Sequence, residues 1–132
     1  MDMLTKMMEM QEHLNTNVIT KQNMLHYNPL KRSVNVELTD QMNNTCKREW
    51  ADNFMSALSG EVTETREALT TRVKWWKDKT KNDSGVKEEM IDCLHFLMSG
   101  FLAMGMTADE VFKIYCDKNK ENFERKDWDV NK

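Results

Sequence analysis

The stretch VKEEMIDCLHFLMSGFLAMGM, residues 86–106, decides the fold. From Met90 onward almost every position is apolar, and the run reads as one buried helix. Yet Asp92 and His95 stand inside it, with Glu88 and Glu89 at its mouth. A carboxylate taken out of water without a partner costs several kcal/mol, so it normally finds a counter-charge or a proton. A helix apolar on all sides is central in its fold or is covered again by another chain. In a chain of 132 residues few elements are left to surround it, so a homodimer is expected.

Working outward, the composition points the same way. Gly is 4 and Pro is 1, which leaves strands and tight turns without their punctuation, whereas Leu, Met, Glu, Lys and Ala are plentiful. The expected fold is all-α, a four-helix-bundle-like single domain over residues 1–132. The 12 methionines suit irregular gaps between helices and interfaces. The net charge of −3 lacks the basic bias of a duplex-binding protein, so no nucleic-acid partner is expected. Lysines gather at 74–87 and 113–126, as solvated surface or as small patches suited to phosphate. Cys46, Cys93 and Cys116 are odd in number and form no CxxC pair, which argues for a reducing, cytoplasmic setting and against a disulfide scaffold. The N-terminal MDMLTKMMEMQEHL is not a signal peptide, and no stretch reaches the ~18 uncharged apolar residues of a membrane span, so no membrane partner is expected.

Four helices are predicted. One runs from about Leu4 to about Leu25, with Leu4, Met7, Met8, Gln11, Leu14 and Val18 on one face, and ends at HYNPLKRS. A second runs from near Thr45 to about Val73, with Trp50, Phe54, Ala57, Leu58, Val62 and Leu69 as its buried stripe. WWKDKTKNDSG is then a loop. The third runs from about Val86 to Met104, with Gly105 as C-cap residue. In TADE, Thr107 is the N-cap and Glu110 the N3 residue of a capping box, and the fourth helix continues to about Arg125. Residues 126–132 are expected to fray.

The carboxylates are paired. Glu61 and Glu64 are three apart on the second helix, Glu89 and Asp92 three apart on the third, and residues so spaced share a helix face. E-x-x-E alone occurs on many solvated helices. Two such pairs on packed antiparallel helices aim four like charges at one point, which is tolerable around a cation. Hard divalent ions take carboxylate oxygens, and Mg²⁺, with Mn²⁺ as a substitute, keeps positions open for water and phosphate. Glu61, Glu64, Glu89 and Asp92 are therefore the candidate metal ligands. His95, three after Asp92, reads as a core histidine or as a support that orients that carboxylate.

EVTE at 61–64 followed by EEMIDCLHF at 88–96 resembles the metal-binding signature of the all-α NTP pyrophosphohydrolases, which include MazG-like proteins and dimeric dUTPases. IYCDKNKENFERKD at 114–127 is similar to the K-N-x-x-N-x-x-R element of the dimeric dUTPases, and WWK at 75–77 and DCLHFLMS at 92–99 fit that branch. GMTADEVFKIYCDKNKENFER resembles the C-terminal part of the dCTP/dUTP pyrophosphatases of large tailed bacteriophages, and MEMQEHLN at 8–15 resembles the family's first helix. The ending RKDWDV departs from the family's R-Q-x-x-G-Y, with Lys126 in place of Gln. The resemblance implies a Mg²⁺-dependent enzyme that cleaves a pyrimidine deoxynucleoside triphosphate, dUTP or dCTP or both, to the monophosphate and pyrophosphate, in the cytoplasm (the host's, if phage-encoded). It implies Glu64 as the group that positions or deprotonates the attacking water, and Lys118, Asn122 and Arg125 as phosphate ligands. It implies Gln11, Asn15, Trp50 and Asn119 at the base and sugar. An amide can flip to suit uracil or cytosine, so the base stays open. Two alternatives remain at this stage: a MazG-like house-cleaning enzyme with another base preference, and a non-catalytic helical interaction module whose acids are merely solvated.

Overall fold

The computed structural model describes residues 2–21, 40–71 and 75–125, with the backbone alone of 19–21 and 40–45. Four α-helices make up its regular structure: α1 (Met3–Lys21), α2 (Asp40–Leu69), α3 (Asp83–Ala103) and α4 (Ala108–Glu124). There is no strand among the described residues, in line with the all-α expectation. HYNPLKRS, the expected end of the first helix and the 126–132 tail lie outside the described residues, whereas the second helix, expected to run to about Val73, ends at Leu69. No single helix is long and apolar enough to cross a membrane.

The starts of α2 and α3 come earlier than periodicity suggests. DQMNN at 40–44 carries no apolar rhythm and is helical nonetheless. Before Val86, the turn D-S-G is the first turn of α3, because the Asn82 side chain accepts a hydrogen bond from the Gly85 N–H at 2.9 Å. Asp83, in that first turn, puts its negative charge at the positive end of the helix dipole. The far end of α3 closes as expected. Met106 N–H donates to Phe101 O at 3.0 Å and Gly105 N–H to Leu102 O at 2.9 Å, with Gly105 at φ 74°, a conformation that costs glycine nothing. The chain then bends by 106° into α4, whose Glu110 N–H donates to Thr107 Oγ1 at 3.1 Å.

Helix α3 is the hub: α2 packs along it, and α1 lies across it. The Met55 side chain of α2 reaches over Gly100 of α3, where a Cβ would stand 2.6 Å from Met55 Cε. The inward stripe of α2 runs through Phe54, Leu58, Glu61, Thr65 and Ala68, steps of four, three, four and three. Val62 and Leu69, expected inside, are exposed because they stand one position off that stripe. Helix α1 is likewise rotated: Met8, Gln11 and Asn15 are buried, whereas Met3, Met7, Met10, Leu14 and Val18 form a second, exposed apolar strip. Helix α3 is not buried all round either. Met90, Ile91, Asp92 and His95 are exposed, and α4 has no buried residue within this chain.

The lysine cluster of the α2–α3 connection has a structural use. Lys81 N–H donates to Ala68 O at 2.9 Å, satisfying a carbonyl at the end of α2. Lys79 pairs with the buried Glu67 of α2 at 3.5 Å, and Lys81 with Glu89 of α3. All three cysteines are free. Asn82→Ala should lower unfolding free energy by about 1 kcal/mol in urea titration, and Asn82→Gly by only a few tenths. Equal losses in the two variants would show that the cap is not what starts α3.

Candidate active site

Because position 61 belongs to the inward stripe of α2, its carboxylate is delivered to the α2–α3 seam rather than to solvent. There it meets Glu89 and Asp92, which α3 presents one turn apart. One oxygen of each of the three lies within 4.8 Å of the others. Glu61 Oε2 and Glu89 Oε2 are buried and accept no hydrogen bond. Burial, then the charge of Glu64 and a hydrogen bond to its side chain, then the charges of Asp92 and Glu89, hold the Glu61 carboxyl above its usual range. The Glu89 side chain, 12 % exposed, receives the Lys81 ammonium on its other oxygen. That hydrogen bond and the carboxylate's charge raise the Lys81 pKa. Behind the cluster, Thr65 Oγ1 donates to Glu61 O at 2.8 Å. The single Thr65 proton is thereby used, so the Cys93 thiol, 3.5 Å away, is the donor in its contact with Thr65.

Glu61 and Asp92 form one end of a cleft of ≈ 680 Å³, a size suited to a small ligand. Its apolar walls are Leu14 and Val18 of α1, Trp50 and Phe54 of α2, and Phe96 of α3. The Trp50 and Phe54 ring centroids are 5.7 Å apart, tilted by 34°. Gln11, Asn15, Asn53 and His95 supply polar groups. Gln11 Nε2 donates to Asn15 Oδ1 at 2.9 Å, Asn15 Nδ2 to Ser99 Oγ at 3.0 Å, and Ser99 Oγ to the His95 carbonyl at 2.8 Å.

The fold thus brings Gln11, Asn15, Trp50, Glu61 and Asp92 to one cleft, with Glu89 in contact range of the acids. Glu64 is exposed and outside the three-carboxylate cluster, although its charge reaches Glu61. Lys118, Asn119, Asn122 and Arg125 stand on or just after α4, and none of them lines the cleft of this chain. Lys118 Nζ is 3.3 Å from Glu121, and the Asn122 carbonyl accepts from Arg125 N–H at 3.3 Å. Sequence reasoning missed Asn53, Phe54, Phe96 and Ser99 as parts of the site, and Lys81 as the partner of Glu89. Asn53 is three after Trp50 and Phe96 four after Asp92, so helical spacing held the signal for those two. Lys81 is placed by a backbone bond to α2 that no spacing reveals.

The cleft and its acids can be set beside known proteins. A family model described as dUTPase matches residues 3–107. A dCTP pyrophosphatase of Enterobacteria phage LZ5 is 55 % identical over 42 residues, 32 % of this chain and 24 % of that protein. The dCTP pyrophosphatase of Enterobacteria phage T4 is 50 % identical over 42 residues, 32 % of this chain and 25 % of its own. A phage T4 DNA replication protein is 40 % identical over 45 residues, 12 % of its length. The chain thus spans about a quarter of the length of the curated pyrophosphatases it matches. No solved structure matches it. With a match that runs from α1 through α3 and takes in the whole carboxylate seam, the chain belongs to the dUTPase family.

Proposed function

We propose that this protein is a Mg²⁺-dependent pyrophosphohydrolase that cleaves a pyrimidine deoxynucleoside triphosphate, dUTP or dCTP or both, to the monophosphate and pyrophosphate. The observation that carries the proposal is the pair of buried, unbonded carboxylate oxygens, on Glu61 and Glu89, at the acidic end of an aromatic and amide-lined cleft. The donor set fits a hard divalent ion. It is all carboxylate, it gathers three oxygens within 4.8 Å of one another, and two of its oxygens lack any donor. The dUTPase family match and the pyrophosphatase names of the phage relatives support the same chemistry.

In this reading Glu61, Glu89 and Asp92 hold the metal, with Glu64 joining from the exposed edge, and Mn²⁺ substitutes. The ion supplies charge neutralisation for the triphosphate and acidifies bound water. Glu64, close enough to act on Glu61 electrostatically and open to solvent, positions the attacking water and takes its proton. Trp50 stacks on the base, and Gln11 and Asn15 read its edge. Lys118, Asn122 and Arg125 grip phosphate oxygens, and Asn119 the sugar side. Since α4 does not line the cleft of its own chain, that grip comes from a second copy. A homodimer covers the exposed strip of Met3, Met7, Met10, Leu14 and Val18 and the exposed Met90 and Ile91.

The metal assignment has a signed consequence. A carboxyl raised in the folded state contributes stability below the ordinary carboxylate pKa, and that contribution is lost as pH rises through the raised value. Glu61→Gln removes the loss. Without metal at pH 7 the variant should melt above the wild type, and the Mg²⁺-induced gain in Tm should vanish. Asp92→Asn should abolish both turnover and that gain. A Glu61→Gln protein still stabilised by Mg²⁺ would sink the ligand set.

The phosphate assignment and the dimer are tested together. Losing one charge-assisted contact costs about 1.5–3 kcal/mol, so Arg125→Ala should cut kcat/KM by roughly ten- to a hundredfold for every accepted base, with the helix intact. Mixing unfolded and refolded Asp92→Asn with Arg125→Ala should restore about a quarter of wild-type turnover, because half of the re-formed dimers carry one intact site. No recovery, or a monomer in sedimentation at micromolar concentration, would mean that α4 does not act across an interface.

A further inference from the structure

Ser99 is 1 % exposed and touches no part of the chemistry, yet its hydroxyl ends the chain of hydrogen bonds that begins at Gln11 in the cleft. A serine hydroxyl carries one proton. Here it goes to the His95 carbonyl, 2.8 Å away on the same helix, so the lone pairs face Asn15. Asn15 must then turn Nδ2 toward Ser99, at 3.0 Å, and Oδ1 toward Gln11. Gln11 in turn must offer Nε2, at 2.9 Å. The reversed arrangement would put Asn15 Oδ1 where Nδ2 now stands, 3.0 Å from Ser99 Oγ, and the Ser99 proton would have to leave the His95 carbonyl to meet it. Two amides paired alone can flip together at no cost. The serine, anchored to the α3 backbone, removes that freedom, and with Gln11 and Asn15 both buried an unsatisfied flip is expensive.

The two pyrimidines differ in polarity at one edge: uracil offers an N3–H donor beside the O4 acceptor, cytosine the N3 acceptor beside an N4–H₂ donor. We infer that Ser99 is the positioning residue that selects between uracil and cytosine, by fixing through Asn15 which amide atoms of Gln11 face the base. The inference rests on the proposed reading that Gln11 and Asn15 face the base. It replaces the sequence expectation that the amides flip to suit either base.

The test is kcat/KM for dUTP and for dCTP, with Mg²⁺, on the wild-type protein and on Ser99→Ala, Ser99→Thr and Gln11→Ala, each with its Tm. A mispaired buried amide is expected to separate the two substrates by about tenfold or more in the wild type. Ser99→Ala should bring the ratio toward one, chiefly by raising the poorer substrate. Ser99→Thr, which keeps the hydroxyl, should keep the wild-type ratio even if its Tm falls. A folded Ser99→Ala protein with the wild-type ratio overturns the inference, as does a wild type that shows no preference, or a Ser99→Thr ratio that matches Ser99→Ala. If Gln11→Ala leaves the ratio where the wild type has it, the reading of Gln11 and Asn15 as base contacts fails first. If Gln11→Ala moves the ratio and Ser99→Ala does not, the role given to Ser99 alone fails.

Discussion

Glu61 occupies a position in the inward stripe of α2 where an apolar side chain would pack, and it faces two more carboxylates across the seam. Like charges held this close in partly dehydrated surroundings repel more strongly than they would in water. Of the three, only Glu89 has a counter-ion, the Lys81 ammonium, among the ion pairs of the described residues. The loop that carries Lys81 is tied to the end of α2 by a backbone hydrogen bond, so the counter-charge is built into the helix connection rather than left to a mobile surface chain. Lys79 treats the buried Glu67 in the same way. The lysines between α2 and α3 thus offset acids that folding has buried, which is a different use from binding a polyanion.

That seam also explains why the core is thin. Among the described residues the buried apolar side chains are Met8, Ala68, Val86, Met98 and Ala103. Where an ordinary bundle would close over apolar side chains, α1, α2 and α3 stay apart around the cleft, with Trp50, Phe54 and Phe96 as walls. A cleft of this kind follows from placing charge on a packing stripe.

The helices themselves were legible in the sequence, because composition, caps and the apolar run are local signals. Thr107 and Gly105 acted where their local chemistry said they would. The paired acids were legible too, since i, i+3 spacing survives folding. What failed was helix rotation. Val62 and Leu69 are apolar, but they stand one position off the stripe of Phe54, Leu58, Glu61, Thr65 and Ala68 that α2 turns inward. On α1 the expected face held Met8 and Gln11, which are buried, but also Met7, Leu14 and Val18, which are exposed, whereas Asn15, off that face, is buried where Ser99 of α3 accepts from its amide. Polarity alone predicts exposure. A partner 84 residues away overrides it, and nothing in a single sequence announces such a partner.

The exposed apolar side chains complete the physical picture. Phe123 is 85 % exposed and Met10 73 %. Apolar surface left in water and acids taken out of it both cost stability, and binding at either place would offset that cost. A cation in the seam stabilises the folded state by RT ln(1 + [L]/Kd), about 2.7 kcal/mol at a hundredfold excess over Kd, and covering an apolar helix strip contributes roughly 25 cal/mol for each Å² removed from water. Under the proposed function, folding, metal binding and association would be linked through the same few elements. α3 carries two of the acids and the exposed Met90 and Ile91, while α1 carries the amides of the cleft and the exposed Met and Leu strip. A change on α1 would be felt at both surfaces, because Leu14 and Val18 belong to the cleft wall and to the apolar strip at once.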